Sequence, residues 1–237
     1  MEGARQMTVL NGKYVAVNDS FGKEILALPK VAELLAELKL SEADFESKQA
    51  YVSDHHNTFT GEIAGIEKVA FVGKKAQLQV IRTQGENADY LATVDVLSED
   101  GYTSRYLALG SKIEKISEDV LDKGFPVLIP SGLKHDEGFE LLSTKLDEVA
   151  EKWVSFCVPG YRHCGPGCGD NNTWGGGTAV NALDSCCKAH DRCYSAFGYD
   201  NPCCDREVCR CAMANRGVDA SIADAIVAAF IKNSNRC

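Results

Sequence analysis

The most reactive side chains of this sequence lie in one nine-residue stretch, residues 186–194, which reads CCKAHDRCY. It places an imidazole beside a carboxylate and among three cysteines. On a helix, Cys186, His190 and Cys193 lie near one face because they are spaced i, i+4 and i+7. An imidazole has a pKa near neutrality and therefore suits general-base catalysis. The stretch predicts a helix that disulfides hold on one face and that presents His190 and Asp191 to a cleft.

A glycine-rich run, residues 164–169 with the sequence CGPGCG, lies upstream of that stretch. Its glycines allow positive φ and close approach of the backbone, so that successive carbonyl groups can turn toward one point. A calcium ion takes about six to eight oxygen ligands, and backbone carbonyls serve as ligands. Asp191 is the natural carboxylate to complete such a site. The run therefore predicts a calcium loop.

Together the two motifs resemble those of the secreted phospholipase A2 family, whose calcium loop has the form Y-x-G-x-G and whose helix has the form C-C-x-x-H-D-x-C. The helix motif is matched in full, at Cys186, Cys187, His190, Asp191 and Cys193. His163 stands in place of the family's loop tyrosine, and the loop is matched at Cys164, Gly165 and Gly167. The resemblance covers residues 156–237, about a third of the chain.

The resemblance implies a hydrolase that releases the sn-2 fatty acid of glycerophospholipids and acts at a phospholipid membrane surface or micelle. His190 would be the general base that activates water, and Asp205 would complete the catalytic pair by orienting it. The cofactor would be Ca²⁺, held by the Asp191 carboxylate and by the backbone carbonyl oxygens of His163, Gly165 and Gly167. The Gly165 N–H would also stabilise the oxyanion.

Two alignments compete for the aspartate that orients His190. Matching Cys209 and Cys211 to the family's C-x-C-D places Ala212 at the aspartate, whereas matching Cys204 and Asp205 to its C-D step keeps the carboxylate. The second alignment is favoured because both helices then carry a cysteine pair with the same spacing. The resemblance implies three bridges: Cys186–Cys211, Cys193–Cys204 and Cys164–Cys187. The pairing of the other cysteines stays open: Cys157, Cys168, Cys203, Cys209 and Cys237.

All 11 cysteines lie between residues 157 and 237. This density indicates a disulfide framework rather than a zinc cluster, because no C-x-x-C spacing is present. An odd number leaves at least one thiol outside the intrachain bridges. A disulfide framework predicts a secreted protein, although the N-terminus does not read as a signal peptide.

The charge balance differs between the two parts of the chain. Residues 1–156 hold 17 Lys and Arg against 26 Asp and Glu, and residues 157–237 hold 8 of each. Neither segment is therefore basic enough to predict nucleic-acid binding.

Composition divides the chain into two predicted modules, an acidic α+β domain of residues 1–152 and a disulfide-rich, mainly α domain of residues 153–237. In the first, residues 31–51 predict an amphipathic helix, or two helices with a break near Ser41, and residues 139–156 predict another helix. Alternating apolar residues predict an antiparallel sheet with one solvated face and strands at 14–17, 68–72, 77–83, 90–97 and 102–109. The second is predicted to contain two antiparallel stapled helices, the calcium loop and a terminal helix at 219–232.

The sequence leaves the role of residues 1–152 open between an inhibitory pro-segment, a targeting domain or one that binds a protein partner, and a delivery domain. Asp54, His55 and His56 form either a metal-binding cluster or, as such runs more often do, a polar loop. Trp174 is either a membrane anchor or a side chain packed on its loop. The alternative to an enzyme is a phospholipase A2-like binding or toxin module with little catalysis.

Overall fold

The computed structural model describes residues 9–56, 63–84, 89–120, 125, 128–129, 132–144, 157–165, 167–170, 172 and 174–237. The strands are β1 (Val9–Val15), β2 (Ser47–His56), β3 (Ile63–Val72), β4 (Ala76–Thr83), β5 (Tyr90–Leu97), β6 (Tyr102–Leu109) and β7 (Lys112–Val120). The α-helices are α1 (Asp19–Leu26), α2 (Pro29–Glu37), α3 (Ala182–Phe197), α4 (Pro202–Ala214) and α5 (Ala220–Ser234). Within these ranges, no helix has the length and apolar character needed to cross a membrane.

Strands β1 to β7 form one antiparallel sheet in which neighbours in the sheet are also neighbours in sequence. The turn between β5 and β6 uses Gly101 with a φ of 80°, a left-handed conformation that glycine adopts without strain. The strands predicted from residue 68 onward are therefore confirmed. The strand predicted at 14–17 begins earlier, at Val9, and ends at Val15.

Both faces of the sheet are covered by helices. On one face, α1 and α2 pack through Ile25, Val31 and Leu34. On the other face, Ile66 and Leu107 lie in one hydrophobic cluster with apolar residues of α3, α4 and α5. Thr93 and Asp95, the polar residues that alternate with the apolar ones of β5, are buried under these helices. The prediction of a solvated face is wrong because the C-terminal helices cover it.

The helix predicted at 31–51 is shorter than expected. α2 ends at Glu37, and residues 47–51 belong to β2, which pairs with β1 and β3. Between them, the Ser41 N–H donates to the Asp44 carboxylate (2.7 Å) at the start of a short 3-10 turn, so the predicted break at Ser41 is confirmed. Pairing with two strands overrides the helix propensity of the segment.

The helix predicted at 139–156 is not present in its first residues, 139–144, which have no regular structure. The buried carboxylate of Asp54 accepts hydrogen bonds from the backbone N–H groups of Leu142 (2.7 Å) and Thr144 (3.0 Å) and holds this segment against β2. Residues 145–156 lie outside the described ranges, as does the predicted domain boundary at 152/153.

The three C-terminal helices begin and end at the residues that local sequence favours. The Asn201 side chain accepts from the Cys203 N–H (3.0 Å) and precedes Pro202 at the start of α4. Gly198 caps the end of α3. The terminal helix predicted from Asp219 is α5, and the Asp219 carboxylate caps its first turn.

A buried ionic network joins the sheet to the C-terminal helices. Asp224 of α5 is 1% exposed. Its carboxylate accepts from Lys68 Nζ of β3 (2.9 Å) and from Arg216 Nε (2.9 Å). Burial alone would raise the pKa of Asp224, but the charges of Lys68 and Arg216 outweigh it and lower the pKa to about 2. The carboxylate therefore stays ionised and paired inside the protein.

A second buried pair supports the same interface. Arg105 of β6 donates from Nε to Asp95 (2.6 Å) and from Nη1 to the backbone carbonyl of Met213 in α4 (2.8 Å). Apolar residues of the sheet and of α3–α5 share one cluster around these ions. The two chain segments that composition distinguishes therefore share a core.

Asp224→Ala is expected to lower the free energy of unfolding by about 3–5 kcal/mol, because it leaves Lys68 and Arg216 buried without their common partner. Denaturant unfolding followed by circular dichroism measures the change. Glu46→Ala is the control, since Glu46 pairs with Lys74 on the surface, where losing an ion pair has little effect. Equal losses in the two variants would contradict the role given to the buried ions.

Candidate active site

Two disulfides link α3 to α4 and fix the alignment of these two helices at the candidate site. Cys186 is bonded to Cys211 and Cys193 to Cys204, with a Cα–Cα distance of 5.7 Å in both bridges. Because the first cysteine of one helix pairs with the last of the other, the helices run antiparallel. The resulting alignment brings Asp205, not Ala212, opposite His190. The structure thus contains the alignment that the equal cysteine spacing favoured.

The other cysteines complete a framework of five bridges. Cys164–Cys187 ties the glycine-rich loop to α3, as the resemblance implied. The two pairs that the sequence left open are Cys157–Cys168 and Cys203–Cys237. Cys209 is the free thiol, and burial, followed by the charge of Asp205, raises its pKa. A buried protonated thiol is a poor nucleophile, so Cys209 belongs to the core.

His190 and Asp205 form a buried hydrogen-bonded pair. His190 Nε2 lies 2.8 Å from Asp205 Oδ1, and the two residues are 5% and 1% exposed. A carboxylate only accepts hydrogen bonds, so Nε2 carries the proton and Nδ1 is left as the basic nitrogen. This tautomer gives His190 one nitrogen that is fixed and one that can take a proton from a reactant.

Two further side chains hold Asp205, and the sequence analysis missed both. The Tyr194 hydroxyl donates to Asp205 Oδ1, and Asn233 Nδ2 donates to Asp205 Oδ2 (2.6 Å). Burial and then the bond to Asp205 raise the pKa of Tyr194, so its hydroxyl remains a donor. The spacing i, i+4 from His190 is a signal that could have identified Tyr194. Asn233 lies on α5 and has no comparable local signal.

The imidazole of His190 lies between two aromatic rings, with centroid distances of 4.1 Å to Tyr194 and 4.5 Å to Phe230. It borders a cavity of about 50 Å³ that Gly165 and Asp191 also line. The remaining lining is mostly apolar and includes two residues of the sheet, His55 and Ala64. The His190 ring therefore borders a small, mostly apolar space.

Asp184 shapes the start of the glycine-rich loop. Its Oδ1 accepts from the backbone N–H groups of Arg162 (3.0 Å) and His163 (2.7 Å), and its Oδ2 accepts from that of Val180 (2.9 Å). Asp184 itself is fully buried in the first turn of α3. A single carboxylate thus anchors two stretches of backbone to the helix that carries His190 and Asp191. One stretch, at residues 162 and 163, precedes the glycine-rich loop, and the other, at residue 180, precedes α3.

The loop comes very close to Asp191. A Cβ added at Gly169, whose φ is 118°, would lie 2.5 Å from Asp191 Oδ2, so only glycine fits there. His163 Nε2 lies 3.1 Å from the carbonyl oxygen of Gly177, and its ring is buried. The His163 side chain therefore packs within the loop and takes no part in the His190–Asp205 pair.

The surroundings of the Asp191 carboxylate show whether it suits a bound cation. Its Oδ2 is buried and has no hydrogen-bond partner among the described residues. Burial raises the pKa of Asp191 to about 7, and the charges of Asp170 and Asp184 add to the effect. A carboxylate so short of positive partners fits a bound cation. Clusters of three or more His, Cys, Asp or Glu are absent from the described residues, so the remaining ligands would be loop carbonyl oxygens.

A wider surface cavity of about 470 Å³ lies on another side of Asp191 and follows α3. Asp170, Lys188 and Arg192 line it, together with Ser195 and Ala196. Lys188 Nζ lies 3.2 Å from Asp170, whereas Arg192 is 3.9 Å from the same carboxylate. This charged cavity lies within the usual size range of small-molecule sites.

The cluster at residues 54–56 belongs to β2 and not to a loop. Asp54 bonds the 142–144 segment, and His55 Nε2 lies 2.9 Å from the Ser53 hydroxyl. Burial, with the charge of Lys68, lowers the pKa of His55 to about 3, so the imidazole is uncharged. The side chain of His56 lies outside the described residues. Asp54 and His55 thus have separate partners within the fold.

Comparison of the chain with protein-family models, with curated proteins and with solved structures found no match.

Asp184→Asn is expected to loosen the loop, because the amide group carries no charge and presents a donor to one of the three N–H groups. Hydrogen exchange of the Arg162, His163 and Val180 amides should become faster. Asp219→Asn is the matched control, since Asp219 also accepts two backbone N–H groups but at the start of α5. Unchanged exchange at the loop in Asp184→Asn would show that other contacts hold it.

Proposed function

We propose that this protein is a secreted, Ca²⁺-dependent phospholipase A2, a carboxylic ester hydrolase of lipid degradation that cleaves the sn-2 ester of glycerophospholipids. The observation that carries the proposal is the hydrogen bond between His190 Nε2 and Asp205 Oδ1 in a buried site beside Asp191 and the glycine-rich loop. Five disulfides support an oxidising location.

Asp205 fixes the tautomer of His190, which leaves Nδ1 as the base. Nδ1 takes a proton from a water molecule while the oxygen of that water attacks the sn-2 carbonyl carbon. The protonated imidazole is stabilised by the charge of Asp205 and then gives its proton to the departing glycerol oxygen. Water thus adds across the ester bond, and no acyl-enzyme forms.

The Asp191 carboxylate and the carbonyl oxygens of His163, Gly165 and Gly167 would hold the metal ion. When bound, Ca²⁺ supplies positive charge for the substrate phosphate and for the oxyanion. Gly165 lines the cavity next to His190, which supports the proposal that its backbone N–H donates to the oxyanion.

An aromatic turn supports action at a lipid surface. Phe197 and Tyr199, on either side of Gly198 at the end of α3, are 72% and 75% exposed. The Tyr199 ring lies 4.9 Å from that of Tyr194, which contacts His190. Exposed aromatic side chains favour the membrane–water interface. Trp174, 46% exposed on the loop, is a second candidate for the same role.

The protein is expected to release the sn-2 fatty acid from phospholipid vesicles or micelles in the presence of Ca²⁺ and to lose this activity when a chelator is added. Mass spectrometry of the products from a lipid with two different acyl chains shows which ester is cleaved. His190→Gln is expected to lower the rate by about 10² to 10⁴-fold, the usual contribution of a general base.

His135→Gln is the matched control, because His135 contacts Tyr14 of β1, whose backbone N–H donates to His135 Nδ1 (3.0 Å). Hydrolysis that resists chelation would refute the mechanism. A biological effect that persists in His190→Gln would instead support the alternative, a binding or toxin module with little catalysis.

Calcium alone is expected to bind the protein with one site, as measured by titration calorimetry. Asp191→Asn is expected to weaken this binding by at least about tenfold, because even partners of a metal ligand contribute that much. Asp170→Asn is the control: Asp170 already accepts the Gly177 N–H (2.8 Å) and pairs with Lys188. If both variants weaken binding equally, a diffuse acidic field and not Asp191 attracts the ion.

A further inference from the structure

Asp205 is held by donors on both of its oxygens. Oδ1 accepts from His190 and Tyr194, which both lie on α3, and Oδ2 accepts from Asn233 of α5 at 2.6 Å. Asp205 is 1% exposed, so solvent does not supply a substitute donor for Oδ2. Among the described residues, Asn233 is therefore the side-chain donor outside α3 that holds the Asp205 carboxylate.

The network defines which way the Asn233 amide faces. Its Oδ1 accepts from Arg236 Nη1 (3.0 Å), a group that can only donate. Its Nδ2 therefore points to Asp205 and also donates to the backbone carbonyl of Asp200 (3.0 Å). A flipped amide would place oxygen against the Asp205 carboxylate and lose all of these bonds. The donor is thus oriented before any substrate arrives.

The end of α5 is tethered on both sides of Asn233. Cys237 is bonded to Cys203, which lies two residues before Asp205 in the first turn of α4. On the sheet side, the Asn235 side chain accepts from Lys30 Nζ (3.0 Å) and from the Gly110 N–H (2.8 Å). These contacts fix the last turn of α5 against α4 and the sheet.

We propose that Asn233 is a positioning residue for hydrolysis, which holds the plane of the Asp205 carboxylate so that Oδ1 meets His190 Nε2 and Nδ1 points at the reacting water. This inference rests on the proposed function. Without Asn233, Oδ2 is a buried acceptor with no donor, and the carboxylate turns to recover one. His190 then loses its fixed direction, and an error of about 1 Å at the base costs about 10²-fold in rate.

Asn233→Leu removes the donor and keeps the branching of the side chain. Its kcat is expected to fall by about tenfold to 10²-fold with KM unchanged, because the substrate does not touch Asn233. Asn233→Gln keeps an amide donor and is expected to recover part of the loss. Asn235→Ala is the matched control, since it removes an asparagine from the same helix end and affects the contacts to Lys30, Gly110 and the Ile231 carbonyl but none to Asp205.

A readout independent of hydrolysis is the proton on His190 Nε2, observed by proton NMR together with the ¹⁵N shifts that report the tautomer. The wild-type protein and Asn235→Ala should show one hydrogen-bonded Nε2 proton, and Asn233→Leu should shift or broaden it. Circular dichroism checks that each variant is folded. If Asn233→Leu does not fold, the same comparison is made with Asn233→Ser.

An unchanged Nε2 proton in folded Asn233→Leu overturns the inference, whatever happens to kcat. The inference also fails if Asn235→Ala produces the same change, because the end of α5 is then merely loosened. If the wild-type protein hydrolyses no lipid but the Nε2 proton still depends on Asn233, the positioning role stands and the proposed function fails.

Discussion

The two bridges between α3 and α4 are the constraint on which the candidate site depends. Successive residues of an α-helix are about 100° apart around its axis, so a shift of one residue would turn Asp205 away from His190. Cys186–Cys211 and Cys193–Cys204 prevent that shift at two points. A disulfide that closes a loop of about 15 residues stabilises the folded protein by about 3 kcal/mol, because it restricts the unfolded chain. Here the bridges also decide which carboxylate meets the imidazole.

The bridges do not bury the apolar sides of the helices, and the sheet does this instead. The cluster under α4 and α5 contains Leu91 and Leu107, and Asp224 finds its cationic partner Lys68 on β3. The segment that carries all the cysteines therefore depends on the acidic segment for much of its core. This is a physical reason for treating the sheet as part of the framework of the site.

Local signals made part of this arrangement predictable. The alternation along residues 90–97 and 102–109 and the equal spacing of the cysteine pairs each act over short stretches of chain, so these two strands and the choice of Asp205 followed from sequence. The covered second face of the sheet did not follow. Its polar residue Asp95 accepts from Arg105, which also donates to a carbonyl oxygen of α4, an arrangement that only the tertiary structure reveals.

The other contacts that were not predicted from sequence join residues that lie far apart along the chain. Lys68 and Asp224 are 156 residues apart, and Asp205 and Asn233 are 28 apart, so no periodicity links either pair. The segment at 47–51 has a helix-like composition but pairs with two strands. In each case a contact between distant segments outweighs the local preference. The His-Asp motif of α3 was visible in the sequence, whereas the residues that hold it in place were not.

The space around Asp191 is unequal on its two sides. Toward Lys188 and Arg192 the cavity is about 470 Å³, whereas beside His190 it is about 50 Å³. The smaller volume admits a few water molecules, but it is far below the roughly 300–1,000 Å³ of typical ligand sites. The larger cavity therefore has the size of a ligand site in the structure as it stands, and the smaller one does not. Because His55 and Ala64 of the sheet line the smaller cavity together with residues of α4 and α5, its size depends on how the sheet and these helices pack against each other.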